Sequence, residues 1–325
     1  MLNFYEKKYI PKNIKYIDIY FTCDYGTSCE YSDDAEWELV QYKDLLYVYL
    51  KKPYIFDNIT YYDLLTPYGY SGYYFENNNT YNEFIPLFRR EAEKKNYITE
   101  VVRQNPYLNI NISKYYDIIL SRITFGINLI QYKSFDEYLK NTHRDNKRGY
   151  KIALKKKLVF KMEEFNEENL TKFIEVYNLT MNKLSAADYY YFNNNYYNSL
   201  FNLKNNIFFE NIYIDNKLIA SCMIFNYNKY LHYHIGGSLL EFRNLRPNNL
   251  LHCSVIKYGI ENNYELYHLG GGLKDGDALY EFKDKIATQK FNYTIYKNIL
   301  NKEIYNKIKN LYKLEDGSYF PIHRR

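Results

Sequence analysis

The residues best suited to chemistry lie late in the chain, where the run Gly270, Gly271, Gly272 is followed by Phe282 and Lys283. Glycine places few steric limits on φ, so the backbone can pass close to a bulky group there. Lys283 puts a cation directly beside an aromatic side chain. An apolar helical run and a short apolar strand precede the glycines, and this order is a common way to build a binding cleft. The sequence therefore predicts a ligand cleft at the glycine run.

A second candidate is the turn-rich loop Thr66–Gly72, which reads TPYGYSG. Gly69 and Gly72 allow the backbone to approach a ligand, while Tyr68 and Tyr70 offer stacking faces that carry a hydroxyl. A plain turn with packed tyrosines is the alternative, and the residues alone do not decide between the two.

Two histidines, His232 and His234, lie two positions apart in a predicted strand and therefore share a face. A His-x-His pair can belong to a metal site, but no third ligand has a suitable spacing, so no metal is predicted. His234 facing a substrate or relaying a proton, and ordinary packing of both residues, remain open.

A basic stripe follows the helical period in the middle of the chain. Its members are Arg144, Lys147, Arg148, Lys151 and Lys155. Such a stripe could hold the phosphates of RNA or of a nucleotide. A helix face exposed to solvent is the commoner explanation of such a stripe.

The elements that must position these residues alternate between helix and strand. Helices are predicted at 81–95, 134–157, 167–184, 196–204 and 248–261, and Ser134 with Glu137 forms a capping box that opens the second of them. Strands are predicted at 37–50 (a hairpin), 98–103, 116–130 (two strands), 207–214, 217–226, 229–236, 264–269 and 291–297. The two halves repeat one pattern, which predicts a tandem α/β protein with domains 1–160 and 161–325 and with the last residues packing back on the first domain.

Composition restricts the class of protein. The 325 residues are 46% hydrophobic, enough for a packed core, and the net charge of +5 permits an anionic substrate without requiring nucleic acid; DNA is not expected as a partner. The spacing of the four cysteines matches no zinc pattern. No run reaches the roughly 18 apolar residues of a membrane helix, and the N-terminus does not resemble a signal peptide, so a cytoplasmic protein is expected.

Several motifs together resemble the FemAB-like branch of the GNAT acyltransferase superfamily. Leu-x-Pro-Asn-Asn-Leu-Leu at 245–251, Leu-Gly-Gly-Gly at 269–272 and Phe-Lys at 282–283 are similar to its second half. TPYGY-G at 66–72, the segment 177–192 and His-Tyr-His-Ile-Gly-Gly-Ser at 232–238 match other elements in the expected order. The resemblance covers roughly residues 40–300.

The resemblance implies tandem GNAT-like domains, each with a mixed sheet flanked by helices, and a cleft between them. It implies transfer of an acyl or aminoacyl group to an amine of a cell-envelope precursor, such as a nucleotide- or lipid-linked glycan or a peptidoglycan peptide. Fem-type enzymes use charged tRNA as the donor. Lys283 would contact a substrate phosphate or the oxyanion of the acyl-transfer intermediate, although a partly exposed surface lysine is the competing interpretation. The substrate-binding residues implied are Tyr68, Gly69, Tyr70, Gly72, Lys183, His234, Arg243, Arg246, Asn248, Gly270, Gly271, Gly272 and Phe282.

One departure concerns the acyl donor. GNAT domains that bind acetyl-CoA hold its pyrophosphate in a glycine-rich loop at a helix N-terminus. The corresponding loop here, Arg243–Asn248, contains neither glycine, and Pro247 removes a donor. The donor is therefore either an aminoacyl-tRNA or an acyl-CoA, with no tightly bound cofactor expected and weak binding of acetyl-CoA predicted. A conventional acyl-CoA-dependent N-acetyltransferase and a non-catalytic fold that binds a nucleotide-sugar or a partner are the alternatives.

Overall fold

The computed structural model describes residues 1–314 and 319–324 and divides the chain into two compact units. The first consists of Met1–Ser121 and the segment that begins at Tyr293; the second is Arg122–Asn292. These bounds differ from the predicted boundary at residue 160. Strand pairing explains the difference, because residues 124–128 and 159–164 pair within the second unit, whereas Ile295–Ile299 pair within the first.

The strands in chain order are β1 Asn3–Glu6, β2 Glu36–Tyr42, β3 Leu45–Phe56, β4 Ile59–Leu65, β5 Gly72–Tyr74, β6 Tyr97–Arg103, β7 Asp117–Asn128, β8 Val159–Glu164, β9 Ile207–Ile214, β10 Lys217–Tyr227, β11 Tyr230–Ser238, β12 Leu266–Gly271 and β13 Gln289–Ile299.

The α-helices are α1 Cys23–Asp33, α2 Asn78–Lys94, α3 Phe135–Asn141, α4 Arg144–Lys155, α5 Glu167–Lys183, α6 Asn194–Ser199, α7 Pro247–Glu261, α8 Ala278–Asp284 and α9 Lys302–Leu311. Within the described residues, no helix is both long and apolar enough to cross a membrane.

The sheet of the first unit has the order β1-β2-β3-β4-β6-β13, with β5 beside β3. The β4–β6 pair is parallel and the other pairs are antiparallel. In its core, buried tyrosine hydroxyls donate hydrogen bonds to two buried glutamate side chains. Glu38 accepts from Tyr97 and Tyr49, and Glu100 accepts from Tyr47 and from the amide of Asn298. The many tyrosines thus act here as amphipathic core residues.

The end of the chain is fastened to this first unit at Asp63. Arg324 Nε and His323 Nε2 each lie 2.8 Å from Asp63 Oδ2, and the Thr99 hydroxyl donates to Oδ1 of the same carboxylate. Asp63 is buried, so a charged partner offsets the cost of removing its carboxylate from water.

The sheet of the second unit has the order β7-β12-β11-β10-β9-β8. Helices cover both of its faces, because neighbouring residues of a strand point in opposite directions. On β9, Phe209 stacks on Phe173 of α5, while Glu210 contacts Ser254 of α7. The α/β class, with mixed sheets flanked by helices, is confirmed.

Two local predictions are corrected. Residues 116–130 contain the single strand β7, Asp117–Asn128, and not two strands. The helix expected over 134–157 is two helices: Ser134 caps α3 through a hydrogen bond from Glu137 N, as predicted, but the helix ends at Asn141. His143 then starts α4 by accepting from Asp145 N, so this side chain supplies a second helix start.

Candidate functional site in the second unit

The opening of the sheet between β11 and β12 is the most distinctive feature of the second unit. These parallel strands pair at only three positions, of which the last is His232 with His268. β11 continues to Ser238, paired on its other side with β10, and β12 continues to Gly271, paired on its other side with β7. The two strands therefore diverge, and α7 connects them along the chain.

Both strands are irregular immediately after they separate. The β10–β11 register shifts between Tyr233 and Ile235, and the β7–β12 register shifts between His268 and Gly270. A bulge of this kind bends a strand and re-aims its side chains, and bulges are frequent next to active sites. At Gly236, an added Cβ would lie 2.4 Å from the hydroxyl of Tyr233, so the Tyr233 ring can occupy its position only because residue 236 has no side chain.

Lys283 lies beside the end of β12. Its Nζ donates to the carbonyl oxygen of Gly271 at 2.7 Å and lies 5.5 Å from the ring centroid of Tyr233. Only 5% of Lys283 is exposed, so the expectation of a partly exposed lysine is wrong. α8 turns this side chain inward, which the short Phe-Lys motif did not reveal. Burial lowers the pKa of Lys283 to about 7, while the charge of Asp277 opposes this change.

Asp277 organises the loop between β12 and α8. Its carboxylate accepts from the backbone N–H of Leu273, Lys274 and Tyr280 at 2.7, 3.0 and 2.7 Å. Gly272 lies against it, because an added Cβ would be 2.5 Å from Asp277 Oδ1. This loop conformation fixes the start of α8 and so fixes the direction of Lys283.

A neutral histidine completes this cluster. His252 of α7 is buried, and its Nδ1 is hydrogen-bonded to the hydroxyl of Tyr267 at 3.0 Å. Burial, with a smaller contribution from the charge of Lys283, lowers the pKa of His252 to about 3. The rings of Tyr233 and Phe282 lie 5.2 and 5.7 Å from its ring. An uncharged imidazole beside the lysine avoids placing two buried positive charges together.

Of the second-unit residues predicted from sequence, the structure brings together Lys283, Phe282 and the glycine run. It adds His252, Tyr233 and Tyr267, which sequence reasoning did not select. His252 lies in a run of apolar helical residues and so resembled a core position. A histidine in an otherwise apolar helix that precedes a glycine loop was the available signal.

His234 has different surroundings from Lys283. It is buried, its Nε2 lies 2.6 Å from the Tyr196 hydroxyl, and its ring stacks on Phe225 at 4.0 Å between centroids. Burial, followed by the charge of His232, holds the pKa of His234 well below its usual value. These contacts give His234 a structural role, and its predicted substrate contact stays a prediction.

The N-terminus of α7 carries the other predicted polar residues. Arg243, Arg246 and Asn248 are exposed, and Asn248 donates from its amide to the Ser238 hydroxyl at 3.2 Å. Arg246 has φ +63° and starts the helix without a side-chain cap. Lys183 is exposed at the end of α5. Substrate contacts by these four residues stay predictions.

The loop 66–72 belongs to the first unit, where side chains hold its backbone. Tyr25 and Asn105 donate to the carbonyls of Tyr68 and Tyr70, and Arg103 donates to the carbonyl of Thr66. The backbone requires both glycines of this loop. Gly69 has φ +98° and Gly72 has φ +91°, and a Cβ at these positions would lie 2.4 Å from the Tyr20 ring and 2.7 Å from Gln104 Oε1. Ligand contacts by this loop, and its place in one cleft with Lys283, stay predictions.

Two surface cavities lie elsewhere. One of about 1000 Å³ is in the first unit, between α2, residues 113–117 and residues 298–303. A shallow one of about 350 Å³ runs along the basic side chains of α4. Among the described residues there is no cluster of three or more His, Cys, Asp and Glu side chains arranged to hold a metal ion.

Comparisons with known proteins agree with this architecture. Residues 140–284 match the acetyltransferase (GNAT) domain family. The fold is similar to that of FemX, with 15% sequence identity, 90% of this chain and 94% of the other covered, and a TM-score of 0.69. It is also similar to L-PGS from Bacillus licheniformis, with 12% identity, 92% of each chain covered and a TM-score of 0.57.

A third similar structure is the C-terminal domain of a putative lysylphosphatidylglycerol synthetase from Agrobacterium fabrum, with 12% identity, 84% and 86% of the two chains covered and a TM-score of 0.54. Comparison with curated protein sequences gave no significant match. Residues 140–284 thus match the GNAT domain family, and the chain has a fold similar to those of FemX and L-PGS.

Proposed function

We propose that this protein is an N-acyltransferase that moves an acyl or aminoacyl group from an ester or thioester donor to an amine of a cell-envelope precursor. The observation that carries the proposal is the buried Lys283, held against Gly271 at the point where β11 and β12 have separated. A fixed cation in a site that excludes water stabilises developing negative charge far better than an exposed one.

The reaction needs little covalent chemistry from the protein. A neutral amine attacks the acyl carbonyl, a C–N bond forms, and the carbonyl oxygen becomes an oxyanion. The C–O or C–S bond of the donor then breaks, and the proton lost by the amine balances the charge on the leaving alkoxide or thiolate. Positioning of the two substrates and stabilisation of the oxyanion are the main contributions of the enzyme.

Lys283 is suited to stabilising the oxyanion. Gly271 accepts one hydrogen of its side-chain nitrogen, so the protonated amine retains two further hydrogens for an oxyanion. The neutral His252 adds no second positive charge beside the lysine, and the ring of Tyr233 lies 5.5 Å from its side-chain nitrogen. A pKa of about 7 leaves a substantial protonated fraction at neutral pH.

An aminoacyl donor is favoured over acetyl-CoA by the first turn of α7. Pro247 lacks an N–H, and the N–H groups of Asn249 and Leu250 both point to the carbonyl of Arg246. Few donors remain for a pyrophosphate, which usually binds at such a helix end. The name of one structurally similar protein, a putative lysylphosphatidylglycerol synthetase, also describes the joining of lysine to phosphatidylglycerol.

Transfer assays test the proposal. Purified protein is incubated with labelled aminoacyl-tRNA or labelled acetyl-CoA, together with an amino sugar nucleotide or a lipid-linked peptidoglycan precursor, and amide products are separated by mass. We expect an amide from the aminoacyl ester and a much slower reaction in the matched Lys283→Met variant. Amide formation from acetyl-CoA alone would favour the conventional acetyltransferase, and the absence of product from both donors, with ligand binding retained, would favour the non-catalytic alternative.

A further inference from the structure

The outward face of α4 is a ridge of positive charge that the proposed transfer reaction does not use. Arg144, Arg148, Lys151 and Lys155 are exposed and Lys147 is half-buried, all on one side of the helix. From the first to the last of these residues the helix extends about 16 Å. Within the part of the chain that the structure describes, none of the five forms an ion pair or a side-chain hydrogen bond.

Lysines in two other helices show the alternative arrangement. Lys172 is paired with Glu168 and Lys307 with Glu303, each one turn away at 2.6 Å. On α4, Arg144 and Arg148, Lys147 and Lys151, and Lys151 and Lys155 lie one turn apart, and like charges at this spacing repel each other. The arrangement therefore costs stability unless an external anion compensates.

The opposite face of α4 is fixed to the body of the unit. Asn146, Gly149 and Ala153 are buried, and Asn249 of α7 donates to the side chain of Asn146 at 3.1 Å. Gly149 lies directly against the amide of Asn249, since an added Cβ would be 2.4 Å from its Cγ. The cationic ridge is thus presented on a rigid support.

The side chains that flank the ridge indicate the kind of anion. Ile152 lies beside the cations of the ridge and, together with them, lines the shallow cavity of about 350 Å³ described above. Leu154, on the other side of the ridge, is 45% exposed. None of the side chains that line this cavity is aromatic, so bases of a single-stranded nucleic acid would find no stacking platform. Beyond α4, the exposed Lys156 and Lys157 continue the charge.

We propose that this ridge docks the protein on the surface of a bilayer that contains anionic phospholipids. Clusters of four to eight Lys and Arg residues on one helix face are suited to such surfaces. The lipid phosphates neutralise the ridge, while Leu154 and Ile152 enter the boundary between headgroups and acyl chains. Docking of this kind requires no spanning segment and does not depend on the identity of the acyl donor.

The experiment is co-sedimentation of the intact protein with phosphatidylcholine vesicles made with and without phosphatidylglycerol. The test variant replaces Lys147, Lys151 and Lys155 by Gln. The control replaces Lys302, Lys307 and Lys309 of α9 by Gln, which removes the same charge from the first unit. We expect wild type and control to sediment with the anionic vesicles, and the test variant to bind on the order of 100-fold more weakly.

Two further measurements separate a membrane from other anions. Leu154→Ser should weaken vesicle binding most at high salt, where the electrostatic part is screened. A short RNA duplex is tested in parallel. Wild-type protein that remains in the supernatant with anionic vesicles overturns the proposal, as does equal loss in the test and control variants. Binding to the RNA duplex that only the test variant loses, with vesicles ignored, assigns the ridge to nucleic acid instead.

Discussion

The side-chain nitrogen of Lys283 lies 2.7 Å from the carbonyl oxygen of Gly271, which joins the last turn of α8 to the final residue of β12. The lysine is buried, and the residues around it supply hydrogen bonds and aromatic faces but no contacting carboxylate in the described chain. A buried cation with this little compensation destabilises the fold, and such groups are kept where they act on a ligand.

Removing the charge of Lys283 should slow catalysis. Lys283→Met keeps most of the buried volume but removes the charge, so kcat should fall by roughly 10²–10³-fold, the usual scale for loss of one oxyanion donor. Steady-state kinetics against acceptor concentration measure this effect. A rise in KM with unchanged kcat would show that Lys283 only binds substrate.

The pH dependence of the rate distinguishes two states of Lys283. If the protonated form stabilises the oxyanion, kcat should fall as the pH rises through about 7, where burial has placed the pKa. Lys283→Arg keeps its charge at high pH, so its residual activity should persist above pH 8. A rate that instead increases through pH 7 in the wild type would identify the neutral amine as a base.

Lys283 should also determine how stability depends on pH. Because its folded pKa is lowered from 10.5 to about 7, the unfolded chain binds the extra proton between these values, and the free energy of unfolding rises with pH across this window. Lys283→Met should lack this rise and be more stable than wild type at pH 6, with the difference shrinking toward pH 10. Urea unfolding at several pH values gives the comparison, and parallel curves for the two proteins would contradict the prediction.

Glu210 should make the free energy of unfolding fall as the pH rises, which is opposite to the effect of Lys283. It is buried on β9, and burial raises its pKa to about 8, with a hydrogen bond to Ser254 opposing the rise. Ser254 Oγ lies 2.7 Å from both Glu210 Oε1 and the carbonyl of Leu251, so its single proton can serve only one acceptor. A protonated Glu210 satisfies both contacts by donating to Ser254.

Stability contributed by a group of raised pKa is lost as the pH rises, here between about 4.5 and 8. Glu210→Gln keeps a donor for Ser254 and should flatten the decline of the unfolding free energy over this window. The exposed Glu241→Gln serves as the control and should leave the slope unchanged. An identical slope in Glu210→Gln and wild type would show that Glu210 is ionised throughout.

The contact between α4 and α7 can be tested at Gly149. Alanine usually stabilises an internal helical position by up to about 1 kcal/mol relative to glycine. Here the new methyl would meet the amide of Asn249 at 2.4–2.8 Å, so Gly149→Ala should instead destabilise by roughly 1–3 kcal/mol. Adding Asn249→Ala should recover part of this loss in a double-mutant cycle. Additive effects of the two substitutions would mean that the residues do not touch.

Binding of acetyl-CoA should be weak or undetectable by calorimetry, because the first turn of α7 offers few free N–H groups and no glycine loop. Tight, stoichiometric binding would show that another part of the chain holds the pyrophosphate.

The sequence predicted elements whose signals are local. α7 begins at Pro247, one residue before the predicted start, and β9, β10 and β11 have nearly the predicted bounds, because apolar periodicity and turn residues define them. α1 was not predicted, since its residues are mostly polar and its buried positions include Gly26 and Ser28, which give no amphipathic pattern. Tertiary contacts with β2 and β3 support this helix instead.

The candidate site was predictable only in part for a similar reason. The glycine run and Lys283 could be selected as motifs, but the burial of Lys283 depends on the turn that Asp277 organises and on the direction of α8. The pairing of His252 with Tyr267 joins two elements that periodicity treats separately. Long-range contacts of this kind are not encoded in any short window of sequence.

The discontinuous first unit has a consequence for biosynthesis. A ribosome delivers all of Arg122–Asn292 before it delivers Ile295–Ile299, the part of β13 that pairs with β6, and before Arg324 can reach Asp63. Domains generally fold as units while the chain emerges. The second unit can therefore complete its fold before the first unit does, and until Ile295–Ile299 arrive β6 has an unpaired edge that is open to wrong strand pairing.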